Sequence, residues 1–80
     1  MKIQILFFGI SADFAGTNNM EFSGENIGTL KDLKIVLKNK FPSLKNLHDF
    51  AIAINENYAD DGDSIKQGDV VAIIPPVSGG

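Results

Sequence analysis

Apolar and polar side chains alternate along the first residues of the chain, and this pattern predicts a strand over residues 2–8. Three apolar side chains share one side of the strand: Ile3, Ile5 and Phe7. We expect them to enter a hydrophobic core. Leu6 and Phe8 lie on the other side, so they should either meet a neighbouring element or form an exposed apolar patch.

A second pattern, with apolar residues every three or four positions, predicts an amphipathic helix that begins after Thr29. Its apolar stripe consists of Leu30, Leu33, Val36, Leu37 and Phe41. Asp32 follows Thr29 at the spacing of a capping box, in which each side chain accepts a hydrogen bond from the other residue's backbone N–H. Pro42 should end the helix, because proline lacks the N–H that a helix needs.

The remaining patterns predict shorter elements. In chain order they are a helical turn over residues 11–15, a strand over 20–22 antiparallel to the first, a strand over 50–55, turns over 55–58 and 64–67, and a final strand over 69–74. The second of these turns should insert Ile65 into the core. Glycine, asparagine and aspartate, the residues that favour turns, separate these elements.

The first and last strands are both nearly continuous apolar runs, which is typical of strands in the middle of a sheet. We therefore place them side by side, with the amphipathic helix across one face of the sheet. The expected fold class is α+β, a small roll of the ubiquitin-like kind.

Charge and composition narrow the possible partners. The chain has 80 residues and a formal net charge of −3, and it contains no arginine. Arginine supplies the planar donor group that binds phosphates and bases, so we expect no nucleic-acid binding. Lys31, Lys34 and Lys38 should form a solvated helix face. The acidic residues concentrated between Asp49 and Asp69 could attract a basic partner.

Cysteine is absent, which excludes disulfides, thiolate metal sites and a cysteine nucleophile. The longest apolar runs are too short to span a bilayer, and the first residues lack the features of a signal peptide. We therefore expect a single cytoplasmic domain that does not bind membranes.

Side-chain catalysis is not expected. His48 is the only histidine and has no serine or cysteine near it in the sequence, so it is interpreted as a surface residue. Residues 60–63, Asp-Asp-Gly-Asp, lack the ligand spacing and closing glutamate of a calcium loop. They are predicted to form a solvated turn, and no metal site is expected.

The end of the chain is the remaining candidate. After the last strand come Pro75, Pro76, Val77, Ser78, Gly79 and Gly80. The prolines cannot continue a sheet ladder, and the glycines, which have no Cβ, can pass through a narrow channel. We predict a domain over residues 1–74 and an extended arm over residues 75–80. At roughly 3.3 Å per residue, the arm can reach about 20 Å.

A carboxylate at Gly80 could be the reactive group. Because a carboxylate is a poor electrophile, it must first gain a leaving group such as AMP from ATP. A sulfur nucleophile would then form a thiocarboxylate, and an amine would form an amide. The chemistry of the residues predicts an activated acyl carrier without choosing between these nucleophiles.

Gly68 and Asp69 before the last strand, and Pro-Pro-Val-x-Gly-Gly over residues 75–80, closely resemble the ending of a known family. The family is the small subunit of molybdopterin synthase, the sulfur carrier of molybdenum cofactor biosynthesis. Further resemblance is found in residues 3–9, in the helix opening at Thr29, and in residues 53–55 followed by Tyr58. It extends over nearly the whole chain. One departure is Ala12-Asp13, where the family often has Arg-Glu.

The resemblance implies a β-grasp fold with a mixed sheet and one main helix. It also implies that an E1-like adenylating enzyme uses ATP to activate Gly80 and that a sulfur-donor system converts it to a thiocarboxylate, with no cofactor bound by the chain. The arm would then enter the large catalytic subunit and donate sulfur to cyclic pyranopterin monophosphate, forming the molybdopterin dithiolene. By resemblance, Phe8, Tyr58 and Ile74 occupy apolar positions that face both partners.

Three alternatives remain open. The nearest is the thiamine-pathway sulfur carrier, which shares the fold and the Gly-Gly ending but usually lacks the Pro-Pro-Val-Ser lead-in. Another is a ubiquitin-like protein modifier that forms amides with lysines. The last is a passive interaction module whose arm has no chemical role.

Overall fold

The computed structural model describes residues 2–24, 27–44 and 49–76. In chain order, its elements are β1 Lys2–Phe7, α1 Ile10–Ala15, β2 Asn19–Ser23, α2 Leu30–Lys40, β3 Ala51–Ile54, β4 Asn57–Tyr58 and β5 Val70–Ile74. The strands form one five-stranded sheet in the order β2-β1-β5-β3-β4. β1 and β5 are adjacent and parallel, whereas the other neighbouring pairs are antiparallel. The predicted mixed sheet and β-grasp fold are confirmed.

The hydrophobic core lies between the sheet and α2. Its most deeply buried members come from β1, α2 and β5: Ile3, Ile5, Phe7, Leu30, Leu33, Leu37, Val71 and Ile73. The three leucines of α2 are completely buried, as the helical spacing predicts. Phe7 also packs edge-on against Phe41, with ring centroids 5.8 Å apart. We call this side of the sheet the covered face.

The capping box at the start of α2 is present. The Asp32 N–H donates to Thr29 Oγ1 at 3.4 Å, and the Thr29 N–H donates to Asp32 Oδ2 at 3.2 Å. Asp32 Oδ2 also accepts from the Gly28 N–H, and the backbone donors of Gly28 and Thr29 lower the pKa of Asp32 below its usual value of 3.8. At the other end, the Phe41 N–H donates to the carbonyl of Leu37, and Pro42 lies just beyond the helix.

The prediction of a turn over residues 55–58 was wrong in its extent. Only Asn55 and Glu56 form the turn, and both have positive φ, as tight hairpin turns require. Asn57 and Tyr58 return as β4, with Tyr58 paired to Ala53. A strand of two residues is too short to produce an alternating pattern, which is why the sequence did not reveal it.

Two further core residues lie outside every predicted element. Ile27 and Leu44 are buried, although neither belongs to a helix or strand. Ile65 is buried as predicted, whereas His48 lies outside the described residues. Within the described parts of the chain, no helix is long and apolar enough to cross a membrane.

Candidate functional site

The sheet face opposite α2 carries apolar side chains that the described elements leave accessible. We call it the open face and define it as Leu6, Phe8, Ala51, Ala53, Tyr58, Val70, Ala72 and Ile74. Ala53 shares this face by register but is itself buried, at 7% exposed. Phe8 is 49% exposed and Tyr58 is 79% exposed. Contiguous exposed apolar surface of this kind is typical of binding sites.

The strand register shows which residues of the open face lie side by side on neighbouring strands. Leu6 pairs with Ala72, Ala72 pairs with Ala53, and Ala53 pairs with Tyr58. Paired residues project from the same face of a sheet, so this row runs from β1 to β4. In the next row Ile74 pairs with Ala51.

Phe8 follows β1 directly and lies beside the end of β5, since its N–H donates to the carbonyl of Ile73 at 3.0 Å. The structure thus brings Phe8, Tyr58 and Ile74, the predicted partner-binding residues, to one face of the sheet. That these residues bind a partner stays a prediction.

A shallow groove crosses the open face between β1 and β5. It is lined by Leu6, Phe8, Asn55, Glu56, Val70 and Ala72. Four of the lining residues are apolar, whereas the carboxylate of Glu56 places a negative charge at the rim. A surface that fits this groove would therefore combine apolar side chains with a basic residue at its edge.

Hydrogen bonds hold the rim in place. The Asn55 N–H donates to the carbonyl of Val70 at 2.8 Å, and the Val70 N–H donates to Asn55 Oδ1 at 3.0 Å. Asn55 Nδ2 also donates to Asp69 Oδ1 at 2.9 Å. The turn that carries Glu56 is thereby fixed to the start of β5.

The arm begins where β5 ends. Pro75 and Pro76 belong to no strand or helix, and Pro75 is partly buried beside Gly9. Proline has no N–H to donate to the sheet, so β5 stops here as predicted. The predicted site residues farther along the arm lie outside the described residues: Val77, Ser78, Gly79 and Gly80.

The acidic stretch has a structural use at the start of α2. Asp61 Oδ1 accepts from Lys34 Nζ at 2.6 Å, and this hydrogen bond lowers the pKa of Asp61. The carbonyls of Asp61 and Asp63 accept from the N–H groups of Lys31 and Leu30. Over the described ranges, no three histidine, aspartate or glutamate side chains form a group that could hold a metal ion.

Sequence reasoning missed the contributions of Val70, Ala72 and Glu56 to the groove. The first two could have been found by extending to the last strand the alternation that was applied to the first. Glu56 carried no such signal, because its position at the rim depends on where the hairpin folds over the sheet.

Comparison with known proteins finds a matching family model and similar proteins. The ThiS family model matches residues 5–80. The molybdopterin synthase sulfur carrier subunit of Chlamydomonas reinhardtii is 35% identical over 83 residues, with both chains covered completely.

Two solved structures are also similar. One is from a complex of subunits 1 and 2 of the molybdopterin-converting factor of Helicobacter pylori, with 31% identity, a TM-score of 0.72 and complete coverage of both chains. The other is small archaeal modifier protein 1 of Methanosarcina acetivorans, with 27% identity, a TM-score of 0.80, and 99% of this chain and 96% of that chain covered.

Proposed function

The chain belongs to the ThiS family, and from this premise we propose that it is the sulfur carrier subunit of a molybdopterin synthase. The observation that carries the proposal is the full-length similarity to the Chlamydomonas subunit of that name. The geometry supports it, because Pro75 leaves the sheet beside an accessible apolar face. A carrier needs both features: a surface that docks on a partner and an arm that reaches the partner's active site.

The proposed chemistry takes place at Gly80. In an E1-like enzyme, the carboxylate attacks the α-phosphate of ATP, and pyrophosphate leaves. Hydrosulfide then attacks the carbonyl carbon, and AMP leaves, so that Gly80 ends in a thiocarboxylate. A persulfide donor would first give an acyl disulfide, which a thiol must cleave to release the same thiocarboxylate. In the large subunit, the thiocarboxylate sulfur bonds to a carbon of cyclic pyranopterin monophosphate, and water then cleaves the carbonyl–sulfur bond, which returns Gly80 to a carboxylate. A dithiolene holds two sulfur atoms, so two loaded chains are consumed for each product. The chain itself binds no cofactor and supplies no catalytic side chain.

Two parts of the chain have different roles in this proposal. Residues 1–74 form the docking domain, and residues 75–80 form the arm. Phe8, Tyr58 and Ile74 contact the activating enzyme and the large subunit in turn through the open face. One face can serve both partners because loading and donation occur at different times.

A second candidate function is protein modification. The similarity to a small archaeal modifier protein favours it, because amide formation would use the same adenylated Gly80. The thiamine-pathway carrier predicts the same thiocarboxylate but a different acceptor. These alternatives can be separated by what the activated Gly80 reacts with.

The test begins with loading. The chain is incubated with its cognate activating enzyme, ATP and a sulfur donor, and its intact mass is measured. We expect one oxygen to be replaced by sulfur. Because the chain has no cysteine, an organomercurial gel should retard only the loaded form. Conjugates to other proteins would favour the modifier, and an unchanged mass with a competent enzyme would contradict both functions.

The second step adds the large subunit and cyclic pyranopterin monophosphate. We expect dithiolene formation and return of the original mass. Deletion of Gly80 should abolish loading while leaving the melting temperature nearly unchanged, because a residue this far beyond the last strand should contribute little to the core. A loaded chain that cannot donate sulfur to the pyranopterin would point to another acceptor, such as that of the thiamine pathway.

A further inference from the structure

The root of the arm is packed against the turn between β1 and α1. Gly9, in this turn, has φ 56° and ψ −136°, a conformation that residues with a side chain rarely adopt. A Cβ added to Gly9 would lie 2.9 Å from Cγ of Pro75 and 3.7 Å from its Cδ. The first distance is shorter than real Cβ contacts allow. Residue 9 therefore accommodates the proline ring only because it is glycine.

The same turn also holds the strand that leads into the arm. The carbonyl of Ile73 accepts from the Phe8 N–H at 3.0 Å. The Ser11 hydroxyl, which is completely buried, donates mainly to the Phe8 carbonyl at 2.6 Å and lies 3.4 Å from the Ile73 carbonyl. These hydrogen bonds hold the end of β5 at Ile73, just before the chain reaches Pro75.

Building on the proposed function, we infer that Gly9 is a positioning residue, which sets the direction in which the arm leaves the sheet. The Pro75 ring lies against the bare backbone of Gly9, and proline has a fixed φ. These two restraints act at the one point where the arm joins the domain. They aim the arm without contacting the reacting group.

A change of direction at Pro75 is carried to Gly80 when a partner's channel holds the arm extended. The sequence places five residues after Pro75, which span about 16 Å at roughly 3.3 Å per extended residue. A tilt of roughly 20° at Pro75 would move the tip by about 5 Å over that length. Reacting groups must be aligned far more closely than this for efficient transfer.

The inference is tested with Gly9→Ala, Pro75→Ala and the double variant. The carriers are made with a thiocarboxylate by chemical thiolysis of a C-terminal thioester, which bypasses the activating enzyme. In single-turnover donation to the large subunit, we expect Gly9→Ala to lower the maximal rate at least about tenfold. The half-saturating concentration should change little, because the open face is intact.

Gly16→Ala is the control. Gly16 also has a positive φ, of 78°, but nothing lies within 4 Å of a Cβ added there. Its substitution strains the other end of α1 without touching the arm, so the maximal rate should stay at the wild-type value. Pro75→Ala, which removes the ring and its fixed φ, should also lower the maximal rate. The double variant should be no slower than the slower single variant, because both substitutions disturb the same contact. Equal losses in Gly9→Ala and Gly16→Ala, or a wild-type rate in Pro75→Ala, would overturn the inference.

A second measurement needs no partner. Since the chain has no cysteine, spin labels can be placed through Ser78→Cys on the arm and Lys38→Cys on α2, and their distance measured by electron paramagnetic resonance. We expect the distance distribution to shift in Gly9→Ala, to broaden in Pro75→Ala and to stay unchanged in Gly16→Ala. An unchanged distribution in both arm-root variants would refute the positioning role. If the distribution shifts in Gly9→Ala but the wild-type carrier donates no sulfur to the pyranopterin, the positioning role stands and the proposed function is refuted.

Discussion

Phe7 and Phe8 are consecutive residues of the same type with opposite surroundings. Phe7 lies on the covered face and is 2% exposed, whereas Phe8 lies on the open face and is 49% exposed. The difference extends along both central strands, where buried residues alternate with accessible ones. Similar apolar composition therefore serves two purposes: one face stabilises the fold, and the other is available to a partner.

The largest expected effect is a difference in folding stability between a substitution on the covered face and one on the open face. Phe7→Ala should lower the free energy of unfolding by about 3–5 kcal/mol, because it leaves a cavity beside Phe41 and the leucines of α2. Phe8→Ala should change it by less than about 1 kcal/mol, as a surface substitution does. Urea unfolding of both variants measures the difference. Equal losses would mean that Phe8 belongs to a second core.

The next effect separates the faces by binding. Phe8→Asp should weaken affinity for the large subunit by about 2 kcal/mol or more, the range of interface hot spots. Ile35→Asp is the matched control, since Ile35 is 52% exposed but lies on α2, on the other side of the sheet. Calorimetric titration should find it close to the wild type. Similar weakening in both variants would contradict docking through the open face.

A smaller effect concerns the helix that makes one face covered. Thr29→Ala removes the side chain that caps α2 and should lower the free energy of unfolding by about 1 kcal/mol. Thr29→Ser keeps the hydroxyl and should retain most of the stability. Because the open face does not include α2, affinity for the large subunit should stay unchanged in both variants. Weaker binding by folded Thr29→Ala would show that α2 also contacts the partner.

The smallest expected effect is a dependence of folding stability on pH, through Asp32. Hydrogen bonds from backbone N–H groups lower the pKa of Asp32 in the folded chain, so its stabilising contribution is complete above the usual value of 3.8. The contribution is lost as the pH falls through the lower pKa of the folded state. The stability difference between wild type and Asp32→Asn should therefore shrink below pH 3.8. A difference that stays constant down to the acid limit of folding would assign the pKa shift no role in stability.

Local pattern was enough for much of the fold. The alternation around Ile5 predicted β1, and the recurrence of Leu33 and Leu37 predicted α2, because each pattern spans enough residues to define a period. The capping box was visible because Thr29 and Asp32 are close in sequence. The family resemblance of residues 75–80 indicated the candidate site.

Contacts between distant segments were not predictable in this way. β4 was missed because two residues define no period, and Leu44 was missed because it is buried outside any regular element. The groove required the register between β1 and β5, which places Leu6 beside Ala72. A register is a property of two strands together, so neither strand alone reveals it.

The sequence by itself determined which residues can be buried, where α2 begins and ends, and that the chain must leave the sheet at Pro75. Only the tertiary structure decided that Phe8 and Tyr58 share an accessible face and that Pro75 packs against Gly9. The physical reason is the distance along the chain over which each interaction acts. Propensity, periodicity and capping act between near neighbours in the chain, whereas an exposed face and a close backbone approach exist only after distant segments have packed.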